Sequence, residues 1–249
     1  MIRRMAPGQG LAALIVRPAA MAVAAACLGG PAAAAGLFVP PAGCELQLTV
    51  QERGCSVAQH YQCSADPAGE QHTTYFGKGG VSTFMSHIDA ETRWLDSEDP
   101  ETGVSDRLEP GAADDASLSA LLASGKDSFD FWTAGSDGQR LHHVGADRLT
   151  GETVTIDGEP LARTSFHLTT SDEAGRVLIS REGHQHVSAS LRLFFGGQER
   201  QKDSTGALQN LDHSPVRFIR SGQPGFASTE PMYDCEILTA TLIPLEIAR

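Results

Sequence analysis

The sequence predicts a mainly β protein: an antiparallel up-and-down sheet, bent into a curved sandwich or a partly open barrel, with one short helix. Three observations support this fold class. Apolar and polar residues alternate along short segments, most clearly in Glu45–Gln51, as in strands with one buried face. Clusters of Gly, Pro and Asp separate these segments at intervals of about 8–12 residues. The dipeptide Asp157-Gly158 lies between two such segments and is a strong hairpin signal.

The composition agrees with a globular domain. Of the 249 residues 41% are hydrophobic, which is enough for a core and argues against a disordered chain. The 26 Gly and 13 Pro exclude a coiled coil, because they would interrupt any long helix. The formal net charge of -12 argues against nucleic acid and anionic lipid as partners, since both carry negative charge themselves.

Short alternating segments are predicted as strands, and successive hairpins favour up-and-down order. In chain order they are residues 45–51, 56–63, 73–77, 81–88, 92–95, 129–133, 139–149, 152–156, 161–170, 176–181, 188–195, 216–220 and 235–242.

One helix is predicted between the two runs of strands. Its leucines have helical spacing, Asp114 and Asp115 are its expected N-terminal caps, and Gly125 is expected to end it. The leucines are Leu118, Leu121 and Leu122. The preceding segment 96–115 is rich in Pro, Gly and acidic residues and is predicted as a loop.

Residues 1–35 are predicted to be a cleaved signal peptide of bacterial type. Arginines precede an apolar stretch of small residues at 18–28, and Ala33–Ala35 offers the small residues that a signal peptidase reads. Lipid attachment at Cys27 stays open as an alternative. We therefore expect a periplasmic or secreted protein. Residues 36–249 are expected to form a single soluble domain without stable membrane insertion. Any subdomain boundary is expected in the segment 96–115.

Four cysteines remain after the predicted leader, and an even number in an exported chain predicts two disulfides. They are Cys44, Cys55, Cys63 and Cys235. Three pairings exist, and we favour Cys55–Cys63 as a local bridge with Cys44–Cys235 joining the ends of the domain. A zinc site on these cysteines is not expected, because no C-x-x-C pair is present.

His184 and His186 are the best candidates for a metal site. Residues two apart on a strand share a face, so both imidazoles would reach one divalent ion. The apolar residues of this segment lie at odd-numbered positions and so face the other side of the strand; they include Val187, Leu191 and Phe195. The two histidines are therefore expected on an exposed face, no cofactor is expected, and a divalent metal is the alternative.

Phe194 shares the parity of the histidines, and Phe226 lies in a Pro-Gly turn segment. Together they are the candidate patch for a ligand or a partner, because neighbouring exposed aromatics mark binding surfaces.

No nucleophile or metalloprotease motif is present, so no catalytic residue is predicted and an enzyme is not the leading interpretation. The leading hypothesis is a non-catalytic binding module for a lipophilic small molecule or for an envelope protein. One alternative is a metal-assisted hydrolase that uses His184 and His186, and the other is a structural component of the cell envelope. A cavity lined by the Leu191 face would favour the small-molecule carrier, whereas a filled core would favour the structural component.

Overall fold

The computed structural model describes residues 36–236. The predicted signal peptide with Cys27, and most of the predicted strand 235–242, lie outside the described residues. Within residues 36–236, no helix has the length and apolar character that crossing a membrane requires.

The described chain is one antiparallel sheet of fourteen strands with a single short α-helix, which confirms the predicted fold class. Strand order along the sheet is β13-β12-β10-β9-β8-β7-β6-β5-β4-β3-β2-β1-β14, with β11 paired beside β10. Most neighbours in this order are consecutive in sequence, so the predicted up-and-down connectivity is confirmed. The elements are β1 (Cys44–Glu52), β2 (Ser56–Cys63), β3 (Gln71–Gly77), β4 (Val81–Ile88), β5 (Trp94–Asp99), β6 (Val104–Leu108), α1 (Leu118–Ser124), β7 (Lys126–Gly135), β8 (Arg140–Ile156), β9 (Glu159–Asp172), β10 (Val177–Ser188), β11 (Leu193–Phe195), β12 (Gln198–Asp203), β13 (Leu208–Asp212) and β14 (Pro215–Ile219).

The sheet bends until its two edges are adjacent. β13 and β14 lie at opposite ends of the strand order, yet only His213 and Ser214 separate them in the chain. No ladder joins these two strands within residues 36–236, so the sheet is curved without being closed. The backbone amide of Arg53 donates to the carbonyl of Ser214 at 2.9 Å, which extends the pairing of β1 with β14.

The main hydrophobic core lies where the two ends of the curved sheet meet. Val50 of β1, Leu161 of β9, Phe195 of β11 and Phe218 of β14 belong to one buried cluster. The Phe195 and Phe218 rings meet edge to face with their centroids 5.0 Å apart. This cluster holds the curvature, because it packs strands from distant positions in the sheet against one another.

The hairpin at Asp157-Gly158 forms as predicted. Both residues have positive φ, 47° and 84°, the backbone that a two-residue hairpin of this type requires. The strands on either side are the longest in the protein. The predicted strands 139–149 and 152–156 are a single strand, β8, with a register irregularity between Leu149 and Thr153.

The predicted loop 96–115 is wrong in its first half, which forms the hairpin β5–β6. Asp96 pairs with Arg107 and Glu98 with Ser105 across this hairpin. Both faces of these strands carry polar residues, so the sequence shows no alternation there.

The predicted strand 188–195 is also wrong, because a turn at 189–192 divides it. β10 ends at Ser188, Arg192 has a φ of 54°, and β11 begins at Leu193. The Arg192 guanidinium donates to the carbonyl of Ala90 from two nitrogens at 2.9 and 2.7 Å. The alternating apolar residues here therefore span two strands and the turn between them.

The helix has the predicted position but a different N-terminal cap. Ser117, rather than Asp114 or Asp115, caps α1, and its Oγ accepts a hydrogen bond from the Ala120 amide at 3.1 Å. Asp114 instead forms an isolated β-bridge with Asp130. Gly125 ends the helix in the left-handed region with a φ of 81°, as expected for a C-terminal glycine.

Two disulfides are confirmed, but both favoured pairings are wrong: the bridges are Cys44–Cys63 and Cys55–Cys235. The register of β1 and β2 places Cys44 directly opposite Cys63. The amide of Cys55, in the turn between these strands, donates to the carbonyl of Tyr233 at 2.9 Å and so lies beside the C-terminal segment. Two disulfides fit an oxidising compartment.

Candidate functional site

The curved sheet lines a partly open cavity of about 780 Å³. Side chains of β1–β5 and β7–β12 line it, and Leu118 at the start of α1 contributes from one side. This volume lies within the range of about 300–1,000 Å³ that is typical of small-molecule sites. The cavity is therefore a candidate small-molecule site within the described residues.

Aromatic side chains dominate the cavity wall. The Trp94 and Phe131 rings meet edge to face at 5.8 Å between centroids, and Phe129 lies 5.9 Å from Phe131. Such a wall offers a large apolar contact area to a hydrophobic ligand. The aromatic lining residues are Tyr75, Phe76, Phe84, Trp94, Phe129, Phe131, Phe166, Phe194 and Phe195.

The two-residue period of the strands places these side chains inside. On β7, Asp127, Phe129 and Phe131 have the same parity and all three line the cavity. On β4, Phe84 and Ile88 also have the same parity and line the cavity. On these two strands the alternation therefore identifies the inward face, whereas on β3 the adjacent residues Tyr75 and Phe76 both line the cavity.

Glu52, at the end of β1, is a buried carboxyl group in this wall. It is 3% exposed, and its Oε2 accepts a hydrogen bond from the Ser56 hydroxyl at 2.9 Å. Burial raises the pKa of Glu52 to about 7, because desolvation of the charged form outweighs the hydrogen bond from Ser56. The group therefore titrates near neutral pH.

His60 is the second buried titratable group of the cavity. Its Nδ1 lies 3.0 Å from the Thr73 hydroxyl, and its ring packs against the edge of Phe195 at 5.7 Å. Its Nε2 is buried and has no partner among the described residues. Burial lowers the pKa of His60 to about 4, so the ring is neutral at pH 7.

Arg181 and Glu199 form a two-pronged ion pair on neighbouring strands of the wall. Arg181 Nε donates to Glu199 Oε1 at 3.1 Å, and Nη2 donates to Oε2 at 2.8 Å. The Glu199 side chain is 6% exposed. The pair compensates its own charge, since both oxygens of the carboxylate face the guanidinium.

Asp147 adds a further acidic group at the far side of the cavity. Its Oδ1 is buried without a partner in the described part of the chain. Burial, together with a smaller effect of the nearby Asp127 carboxylate, raises the pKa of Asp147 to about 7.

The structure places His184 and His186 away from the cavity. Both lie on β10 with the opposite parity to Gln185, which lines the cavity. The Nδ1 atoms lie 3.1 and 3.0 Å from the carbonyls of Thr164 and Gly196. Neither histidine belongs to the groups of three candidate metal ligands found in residues 36–236.

The two aromatics of the predicted patch are not brought together in the cavity. Phe194 lines the cavity between Leu193 and Phe195, which belong to the Leu191 face, whereas Phe226 lies in the loop after β14 and outside the cavity wall.

The charged residues of the cavity were not predicted from the sequence, although one signal for them exists. Glu52 continues the inward parity of Leu48 and Val50, so a charged residue occupies a position where an apolar one is expected. Arg181 and Glu199 carry no such signal, because they are distant in sequence and become partners only through the β10–β12 pairing.

Comparison of the chain with known protein families, with curated proteins and with solved structures finds no match.

Proposed function

We propose that this protein binds a lipophilic small molecule, neutral or carrying a basic group, inside the curved sheet. The observation that carries the proposal is the cavity of about 780 Å³ with its aromatic wall. Ligand sites combine such an apolar lining with a few placed polar groups, here Glu52, His60 and the Arg181–Glu199 pair.

The charges of the wall favour a neutral or basic ligand over a carboxylate. Acidic side chains outnumber basic ones in the lining, and the guanidinium of Arg181 is already engaged by Glu199. A carboxylate would meet more like charges than cations, and of the two lining cations only Lys78 has no ion pair within residues 36–236. The acidic residues are Glu52, Asp96, Asp127, Asp147 and Glu199, and the basic ones are Lys78 and Arg181.

The open interior favours binding over a structural envelope component, for which we expected a filled core. The metal-assisted hydrolase that would use His184 and His186, and the binding of an envelope protein, stay predictions.

The first test is a titration with N-phenyl-1-naphthylamine, a neutral probe whose emission rises in apolar surroundings. We expect saturable binding by the oxidised protein. Gln185→Phe, which adds bulk to the cavity wall, should weaken binding at least tenfold, because the side chain of Gln185 lines the cavity and no hydrogen bond of its own is lost. Gln209→Phe is the matched control, since Gln209 is exposed on β13.

A second titration, with the anionic probe 1-anilinonaphthalene-8-sulfonate, tests the charge argument. We expect it to bind at least tenfold more weakly than the neutral probe. No binding of the neutral probe, or equal binding by Gln185→Phe, would overturn the proposal. Tighter binding of the anionic probe would overturn the preference for neutral and basic ligands.

A further inference from the structure

A second cluster of titratable side chains lies beside the cavity, and of its residues only Asp96 also lines the cavity. Cross-strand pairing aligns Tyr61 of β2, His72 of β3, His87 of β4 and Asp96 of β5 in one row. The imidazoles of His72 and His87 are stacked with their centroids 3.9 Å apart. We call these four residues the histidine row.

The loop 64–70 places two carboxylates against the histidine row. Asp66 Oδ2 lies 2.7 Å from His72 Nε2, and Glu70 Oε2 lies 2.8 Å from His87 Nε2. One ligand atom each of Asp66, Glu70 and His87 lies within 4.8 Å of the other two. The disulfide at Cys63 anchors the start of this loop, and the side chains of Glu70 and His87 are each only 14% exposed.

His87 has a carboxylate at each ring nitrogen, because Asp96 Oδ2 lies 3.0 Å from Nδ1. A neutral imidazole has one N–H, so it donates to only one of these carboxylates. A metal ion at Nε2 would satisfy both sides, with Nδ1–H donated to Asp96. This carboxylate–histidine–metal arrangement is the usual way in which proteins orient a ligating histidine.

The cluster also contains more carboxylates than imidazoles. In residues 36–236, the ion pairs of Asp66, Glu70 and Asp96 involve only His72 and His87, and none involves Lys or Arg. Three carboxylates close together, with no Lys or Arg beside them, favour a cation. Cys63 also lies near Asp66 and His72, but its sulfur is in a disulfide and supplies no thiolate.

We propose that Asp66, Glu70 and His87 bind a divalent transition-metal ion, with Zn²⁺ as the best fit to one imidazole and two carboxylates. Asp96 and His72 position the ligands through their hydrogen bonds to His87 and Asp66. Three protein ligands leave a fourth position of a tetrahedral zinc site for water. The three proposed ligands do not line the cavity, although the positioning residue Asp96 does, and the site does not depend on the proposed function.

The test is calorimetric titration of the chelator-treated, dialysed protein with Zn²⁺ at pH 7.5. We expect one ion per chain, and at least a hundredfold weaker binding by His87→Gln and by Glu70→Gln. Asp96→Asn should weaken binding about 10–100-fold, as is usual when a ligand loses its orienting partner. His142→Gln should leave binding unchanged, because His142 contacts a single carboxylate, that of Asp130, at 2.7 Å.

Circular dichroism and an intact mass with both disulfides show that each variant is folded. Co²⁺ substitution gives an independent readout, since its visible absorption should appear with the wild type and not with His87→Gln. Failure of the wild type to take up zinc, or retention of zinc by both His87→Gln and Glu70→Gln, would overturn the site. So would an NMR spectrum in which His87 stays doubly protonated at pH 7.5 in the presence of Zn²⁺.

Discussion

Glu52 is a buried carboxyl group whose ionisation is coupled to folding. Its pKa is about 7 in the folded protein, because of burial, against an ordinary value of 4.5. Between these values the folded state binds the proton more tightly than the unfolded state, so stability falls as pH rises through this window. The full loss in the free energy of unfolding is present above pH 7, where the buried carboxyl group of Glu52 is charged.

Glu52→Gln should remove this cost, because an amide of the same shape does not ionise. We expect the variant to be more stable than the wild type by about 3 kcal/mol at pH 8, with most of the difference gone at pH 5. Urea unfolding at the two pH values measures this difference in stability between the variant and the wild type. Glu101→Gln, at the exposed turn of β5–β6, is the control, and a pH-independent difference at Glu52 would contradict the argument.

Also for single residues, the sequence indicates which side chains share a face of a strand, but it does not indicate which of them are buried. The alternation in Glu45–Gln51 predicts which side chains of β1 share a face from Leu48 onward, but not at Leu46, because the register shifts between Leu46 and Leu48. Glu52 shares that face, yet its burial depends on β14 pairing along β1 and on the turn beyond Glu52.

Among the elements, the helix α1 is short and depends on its ends and its contacts. Leu118 and Leu121 pack with Val187 in a second buried cluster, and Gly125 closes the C-terminus. The Ser117 side chain both caps the first turn and donates to the Glu91 carboxylate at 3.0 Å. A helix of this length is not stable alone, so these contacts hold it in place.

Ser117→Ala should lower the free energy of unfolding by about 1 kcal/mol, the usual cost of losing an N-terminal cap. Chemical denaturation of the oxidised protein measures the change. Ser204→Ala, in the exposed turn between β12 and β13, should be neutral. Equal stabilities of the two variants would mean that the cap contributes nothing here.

Elements with a clear two-residue period were predictable, and polar ones were not. β2 and β4 have the bounds expected from the sequence. β6, β12 and β13 consist largely of charged and amide side chains and were missed, because their hydrogen-bonded neighbours, rather than buried side chains, make them strands. The turn at 189–192 was missed for the opposite reason, because apolar and polar residues alternate through it as they do in a strand.

For the molecule as a whole, the two disulfides constrain the chain to very different extents. Cys44–Cys63 has a sequence separation of 19 and Cys55–Cys235 one of 180. Chain entropy lost by the unfolded state grows with the loop that a bridge closes, giving about 3 and about 5 kcal/mol respectively.

Removing the long bridge should therefore destabilise the protein more than removing the short one. We expect the pair Cys55→Ala and Cys235→Ala to lose about 2 kcal/mol more than the pair Cys44→Ala and Cys63→Ala. Unfolding in urea compares the two double variants at one pH. The reverse order would show that local packing, rather than chain entropy, decides what each bridge contributes.

The cavity is a property of the whole molecule, and the sequence predicts it only as one of two alternatives. The sequence indicates an apolar face on a curved antiparallel sheet, which is compatible with a filled core or with a cavity. The distance between facing walls depends on the curvature, and the curvature follows from the return of β14 to β1.

The pairing of β14 with β1 also sets the order in which the chain can fold. Thr49 pairs with Ile219, so one side of the first strand stays without hydrogen bonds until almost the entire sheet has been made. Contacts this distant in sequence form slowly, and an unpaired strand edge invites association with other chains. A newly made molecule is therefore most vulnerable to aggregation just before its last strand arrives.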